Sequence, residues 1–290
     1  MPIKSNDISD CIHPEATYEI KIISVSDNVS LRVIQLSPAM DRGQPVVVFI
    51  AGWISLISAW KNVLKEITKD HTVYYVETRE KISSQVQGKT TYSIEAIGRD
   101  IVHLTSQLNL KERKYILFGS SLGATAILDC CRSLTMAPLC LILVGPNAHF
   151  RVPKIGMVVV RIFPPRLYLL LKPYIKWYLK TFRLDIKSDY AQYEKYGRYL
   201  DSADPWKLKK AALAFSKYTV WEVLKTIKYP TLIIGASKDI LHEPANLQQM
   251  VQTMANATYV DLETNKRTHS EEVVKVTKRY IHHVQEMNRK

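Results

Sequence analysis

The chain has 290 residues, of which 47% are hydrophobic and 23% charged, with 10 glycines and 13 prolines. That is enough chain to bury a full core, and the low glycine and proline content excludes collagen-like, low-complexity and linker-dominated classes. The formal net charge of +13 at pH 7 says nothing of fold but favours an anionic partner, whether a lipid surface, nucleic acid or an acidic ligand.

Residues 1–20 contain no apolar h-region, so no secretory signal is expected. Two β-rich runs, Tyr18–Val25 and Ser30–Leu36, flank Ser26-Asp27-Asn28 and read as a hairpin. The run from Pro45 to Ile50 is continuously apolar, as in a strand buried on both faces. Trp60, Val63, Leu64 and Ile67 then recur at helical spacing, which predicts a helix over 57–68. A strand over 72–77, a polar loop and a helix over 93–108 follow. The next strand, 114–118, runs through a glycine-bounded turn into a helix over 124–134, and 139–144 is the fourth buried strand. Strands alternating with helices of this length imply a parallel sheet with crossover helices, an α/β three-layer sandwich.

The alternation stops between about 148 and 221, where the text is basic, aromatic and helical. It resumes with a strand over 230–235, a helix near 245–254, a strand over 257–262 and a closing helix from Glu271. The expectation is a core of residues 1–147 and 222–290 carrying a helical cap, 148–221, inserted over the sheet.

The strongest chemical signal is Gly119-Ser120-Ser121-Leu122-Gly123, between a buried strand and a helix. A serine with glycines two residues away on both sides fits the strand-to-helix turn that raises a nucleophilic hydroxyl above the sheet. The glycines let neighbouring backbone approach without a clashing Cβ, and the helix N-terminus below favours negative charge. Ser120 lacks these neighbours, so Ser121 is the candidate nucleophile.

In this motif, and in the order of elements from Tyr18 to the last helix, the chain resembles the α/β-hydrolase family. The resemblance implies a nucleophile, an acid and a histidine in that order along the chain. Asp239 follows the strand after the cap, at the place of the family's acid, and His269 follows the last strand, at the place of its base. A serine hydroxyl is too weak an acid to ionise at neutral pH, so a neutral imidazole with an ordinary pKa near ~6.5 must take its proton. Asp239 would orient that ring and stabilise the imidazolium. Among the other histidines, His242 is the one competitor near the acid; His71, His103, His282 and His283 fall on helices or at a strand edge.

The oxyanion hole implied by the family would use the backbone N–H of Leu122 and a second N–H from the loop after the first buried strand, where Trp53 is the candidate. Many members carry His-Gly in that loop; this chain has Ala51-Gly52 and so lacks a side chain that helps fix it. Trp53, Ile54 and Leu56 would wall the acyl side of the pocket.

Within the cap, Lys172, Lys176 and Lys180 are spaced four apart and form one basic stripe beside leucines and aromatics, with Pro173 marking a helix break or start. Two readings follow. The stripe contacts anionic lipid, with Trp177 and Tyr178 at the interface, or it is the water-facing side of helices whose apolar face covers the pocket. No stretch reaches the ~20 clean apolar residues of a spanning helix. No nucleic-acid motif, metal spacing, Walker loop or dinucleotide fingerprint is present, so nucleic acid, metal and cofactor are not expected.

Cys11, Cys130, Cys131 and Cys140 read as reduced thiols used as apolar core residues, because the adjacent pair suits neither a disulfide nor a metal knuckle. Reduced thiols point to the cytoplasm, with peripheral membrane contact as an addition. The functional expectation is a serine hydrolase cleaving a carboxylic ester with an apolar acyl group. The same triad would also serve a thioesterase, an acyltransferase or a carbon–carbon bond hydrolase, and the fold could serve a ligand-binding protein.

Overall fold

The computed structural model describes residues 8–150, 154–184, 190–239 and 244–289. The chain begins with β1 (Thr17–Ser26) and β2 (Val29–Ser37), an antiparallel hairpin turning at Asp27-Asn28. β3 (Val46–Ile50) follows, then a 3-10 turn over Ile57–Trp60 that leads directly into α1 (Lys61–Ile67). Next come β4 (Val73–Glu77), the two-residue β5 (Gln85–Val86) and α2 (Ile94–Gln107). β6 (Tyr115–Ser120) passes at Ser121 into α3 (Leu122–Cys130), and β7 (Leu141–Val144) completes the first part of the sheet.

Between β7 and β8 the described residues are helical: α4 (Lys154–Ile162), α5 (Tyr168–Tyr178), α6 (Tyr190–Ser202), α7 (Pro205–Phe215) and the single turn α8 (Trp221–Leu224). A lone bridge between His149 and Thr219 closes the base of this segment. β8 (Thr231–Gly235), α9 (Pro244–Thr253), β9 (Ala257–Asp261), the short α10 (Asn265–Thr268) and α11 (Glu271–Met287) finish the chain.

The strand order is β1-β2-β4-β3-β6-β7-β8-β9, with β5 paired to β2. From β4 to β9 every neighbouring pair is parallel, while β1, β2 and β4 pair antiparallel. The strands are buried on both faces because successive side chains point to opposite sides. Val48, Ile50, Leu117, Leu143 and Ile233 join the cluster under α2 and α3. Val47, Phe49, Phe118, Ile142 and Ile234 join the other, with Trp60, Val63 and Val273. This explains the uninterrupted apolar runs of β3, β6, β7 and β8. Cys11, Cys130, Cys131 and Cys140 are all buried, and burial pushes the Cys131 and Cys140 thiols up to about 12.

The structure departs from the sequence reading in the segment 148–221. The helix α5 runs through Pro173, forgoing the hydrogen bond that the Leu169 carbonyl would receive. Two of the three stripe lysines do not face water alone: Lys172 and Lys176 both pair with Asp201 of α6, at 3.0 and 2.9 Å. Burial pushes the Asp201 carboxyl up, but hydrogen bonds from the two lysines outweigh it and leave the group below its ordinary range. One apolar face of α5, in contrast, is turned outward: Leu169, Leu170, Tyr174 and Trp177 are exposed, while Tyr168 is buried. Among the described residues no helix is long and apolar enough to cross a membrane.

Candidate active site

Ser121 sits where β6 becomes α3, with φ 48° and ψ −112°. A side chain other than glycine is rarely held at positive φ, and the surrounding contacts show why it is tolerated here. The Ser121 amide donates to the Val144 carbonyl at the end of β7 (2.8 Å), and its carbonyl accepts from the Thr125 amide one helical turn on (3.0 Å). A Cβ at Gly119 would lie 2.6 Å from the Ala124 Cα, and one at Gly123 would lie 2.8 Å from the Ala51 carbonyl oxygen and still closer to that of Ile50. Both glycines are therefore required by close backbone approach, as the spacing predicts.

The loop after β3 abuts this turn. A Cβ on Gly52 would be 3.5 Å from the Ser121 Cβ. Leu122 is the first residue of α3, so its N–H belongs to the helix-terminal donors that have no intrahelical acceptor. The loop turns tightly, the Ser55 amide donating to the Gly52 carbonyl (3.1 Å), and Ile54 takes φ 50°. Lys81 holds it from below. Its buried Nζ donates to the carbonyls of Gly52 (2.7 Å) and Ser55 (2.5 Å). Burial pulls this ammonium down to about 8, against the opposing charges of Glu80 and Glu77.

Asn147, just beyond β7, donates from Nδ2 to Ser121 Oγ (3.0 Å), and its own amide donates to Thr125 Oγ1 (2.9 Å). Neither residue carries a sequence signal of this role; only the folding of the β7 exit against α3 brings them together.

Asp239 and His269 line one small cavity beside the C-terminal ends of β7 and β8, together with Ser120, Asn265 and Thr268. Asn265 links the two. Its Nδ2 donates to Asp239 Oδ2 (2.9 Å), and its backbone carbonyl lies 2.9 Å from His269 Nδ1. A carbonyl only accepts, so Nδ1 carries the proton in that bond, and in the neutral ring Nε2 keeps its lone pair. The third polar group of Asn265, Oδ1, accepts from Lys195 Nζ of α6 (2.6 Å). His269 stacks on Trp60, with centroids 4.2 Å apart. Trp60 in turn packs edge-on against Phe49 of β3 and Phe118 of β6, which sets the imidazole at the end of the sheet from which Ser121 projects.

His242 lies outside the described residues. His71 is buried, with Nδ1 bonded to the Pro45 carbonyl, and His103, His282 and His283 are on the outer faces of α2 and α11. Trp53 meets Phe215 of α7 edge-on (5.3 Å), and Phe215 meets Phe150 (5.2 Å), so an aromatic wall stands beside the Ser121 turn.

No family model and no curated protein matches the chain. Solved structures do. A thermophilic esterase from Thermogutta terrifontis is 20% identical, with a TM-score of 0.69 over 93% of this chain and 98% of that one. A hydrolase from Pseudomonas aeruginosa PA01 is 16% identical, with a TM-score of 0.73 over 92% and 98%. An enol-lactonase from Burkholderia xenovorans LB400 is 18% identical, with a TM-score of 0.71 over 89% and 97%. At these identities the likeness establishes the architecture: the chain has the α/β-hydrolase fold.

Proposed function

We propose that this protein is a serine hydrolase that cleaves carboxylic esters through an acyl-enzyme on Ser121, with His269 as base and Asp239 as the acid that orients and stabilises it. The observation that carries the reading is the strained backbone of Ser121 at the head of α3, maintained by two obligatory glycines and met by a donor from Asn147. Strain of this kind persists where the surroundings over-determine it and is concentrated at reacting centres.

In this scheme Ser121 Oγ attacks the ester carbonyl while His269 Nε2 takes the hydroxyl proton. The N–H groups of Leu122 and Trp53 donate to the oxygen that gains charge. His269 then returns the proton to the leaving alcohol, and water repeats the sequence on the acyl-serine. The Asn265 carbonyl keeps the proton on Nδ1, and the Asp239 carboxylate beside it favours the imidazolium. The aromatic wall of Trp53, Phe150 and Phe215 favours an apolar acyl group, and the helices of 148–221 act as a cap over it.

The test is turnover of p-nitrophenyl esters of increasing acyl length, with labelling by a fluorophosphonate. The expected result is a burst of nitrophenol and stoichiometric labelling, both lost in Ser121→Ala. Since removing a triad member costs on the order of 10⁴–10⁶ in kcat, a Ser121→Ala enzyme with wild-type turnover would end the proposal.

A further inference from the structure

The outward surface of α4 and α5 carries large apolar groups where an amphipathic helix usually turns polar ones to water. Ile162, Leu169, Leu170, Tyr174 and Trp177, with Phe182 just beyond α5, are between 49% and 74% exposed, whereas Lys172 and Lys176 are half-buried in their pairs with Asp201. Tyr174 and Trp177 lie 5.4 Å apart, and Trp177 and Phe182 5.6 Å, so the exposed aromatics form one cluster rather than scattered side chains. A contiguous patch of large apolar groups is uncommon on a monomer in water and marks a contact surface.

The sequence says what kind. Residues 151–184 contain eight lysines and arginines and no aspartate or glutamate. Arg161, Arg166 and Lys180 are exposed around the apolar groups. A second copy of this chain would bring an equally positive face against the first and be repelled. Nucleic acid would leave Leu169 and Leu170 without an apolar partner. A bilayer with anionic headgroups satisfies both features, since leucines and aromatics enter the acyl boundary while the basic rim meets the headgroups.

We infer that the exposed face of α4 and α5 docks this protein on anionic phospholipid membranes, with Leu169, Leu170 and Trp177 inserted and Arg161, Arg166 and Lys180 at the headgroups. Attachment is peripheral and uses the apolar side of α5, not its lysine stripe. The inference does not rest on the Ser121 chemistry. The anchored side of the insertion is α4 and α5, while α6 and α7 make the contacts to the active-site loops, so membrane contact and catalysis occupy opposite sides of the same segment.

The experiment is co-sedimentation of the full chain with phosphatidylcholine vesicles and with vesicles that also contain phosphatidylglycerol. Binding is expected only to the second, and to weaken as salt is raised. Leu170→Glu and Trp177→Glu should each weaken binding by roughly tenfold or more, the factor for loss of one large buried apolar side chain. Both should keep wild-type turnover of a short soluble ester, and Ser121→Ala should bind vesicles as the wild type does. Three results would each overturn the inference: no binding to the anionic vesicles, binding unchanged in both glutamate variants, or a dimer in solution that these variants dissociate.

Discussion

Lys81 is 6% exposed, and its Nζ meets two backbone carbonyls of the loop that would supply an oxyanion donor. Ala51-Gly52 offers no side chain of its own to fix the turn, and this buried amine holds two of the loop's carbonyls. Replacing it with methionine should lower kcat by roughly tenfold to a hundredfold, somewhat less than loss of a whole oxyanion donor. KM for a small ester should change little if the loop, as proposed, meets charge that develops only in the transition state; Lys81→Arg, which keeps the donors, should recover most of the activity. An equal fall in affinity and turnover would instead indicate a general collapse of the pocket.

The same residue sets a pH dependence of stability. Its folded-state pKa, about 8, lies below the ordinary 10.5. Between those values the unfolded chain binds more protons than the folded one, so this contribution to stability rises with pH through that window. Below about 8 both states are protonated and the fold bears the full cost of the buried charge. Urea unfolding at about pH 7.5 and about pH 9.5 should show this gain in the wild type and its loss in Lys81→Met. The neutral amine still has two N–H donors for two carbonyls, so no step in kcat at pH 8 is expected from this group.

Elements are held in place here by buried polar anchors as well as by apolar contact. Arg79, after β4, makes a bidentate pair with Asp100 of α2 at 2.6 and 2.5 Å, and it also donates to the carbonyls of Thr91 and Ala96. Burial pushes the Asp100 carboxyl up, with Arg79 opposing the shift. Asp100→Ala would strand a buried guanidinium and should cost about 3–5 kcal/mol in chemical denaturation. The elbow is a second anchor. Gly123→Ala would drive a methyl group into the carbonyls of Ile50 and Ala51. It should reduce soluble yield or activity severely, as overpacking costs typically ~1–3 kcal/mol and here also displaces the loop that follows β3.

Across the whole molecule, α6 and α7 tie the insertion to the site by three contacts far apart in sequence. Lys195 reaches Asn265, Tyr199 meets Ser55 Oγ at 3.4 Å, and Lys207 Nζ donates to the carbonyls of Lys81 and Ser84, both at 2.6 Å. Lys207 thus holds the backbone of the residue that holds the Gly52–Ser55 loop. Displacing this segment on a lipid surface would act on the base side through Asn265 and on the loop side through Lys81. Truncating Lys207 to methionine should therefore shift kcat for soluble esters in the same direction as Lys81→Met, by a smaller factor.

The strands, the crossover helices and the Ser121 turn were readable in the linear text, whereas Asp239 and His269 were placed only by the family resemblance. Local rules generate the former: continuous apolar runs for two-faced burial, helical spacing, and glycines where backbone must approach closely. Long-range polar pairing followed no such rule. Arg79-Glu80-Lys81 has the composition of a solvated loop, and Asn147 and Asn265 lack any period; their roles exist only because remote carbonyls and side chains converge on them. The same holds for α5, whose pattern defines two faces but not which one turns outward. Only the packed neighbours show it: Lys172 and Lys176 pair with Asp201 on another helix, while Leu169 and Leu170 lie on the exposed side.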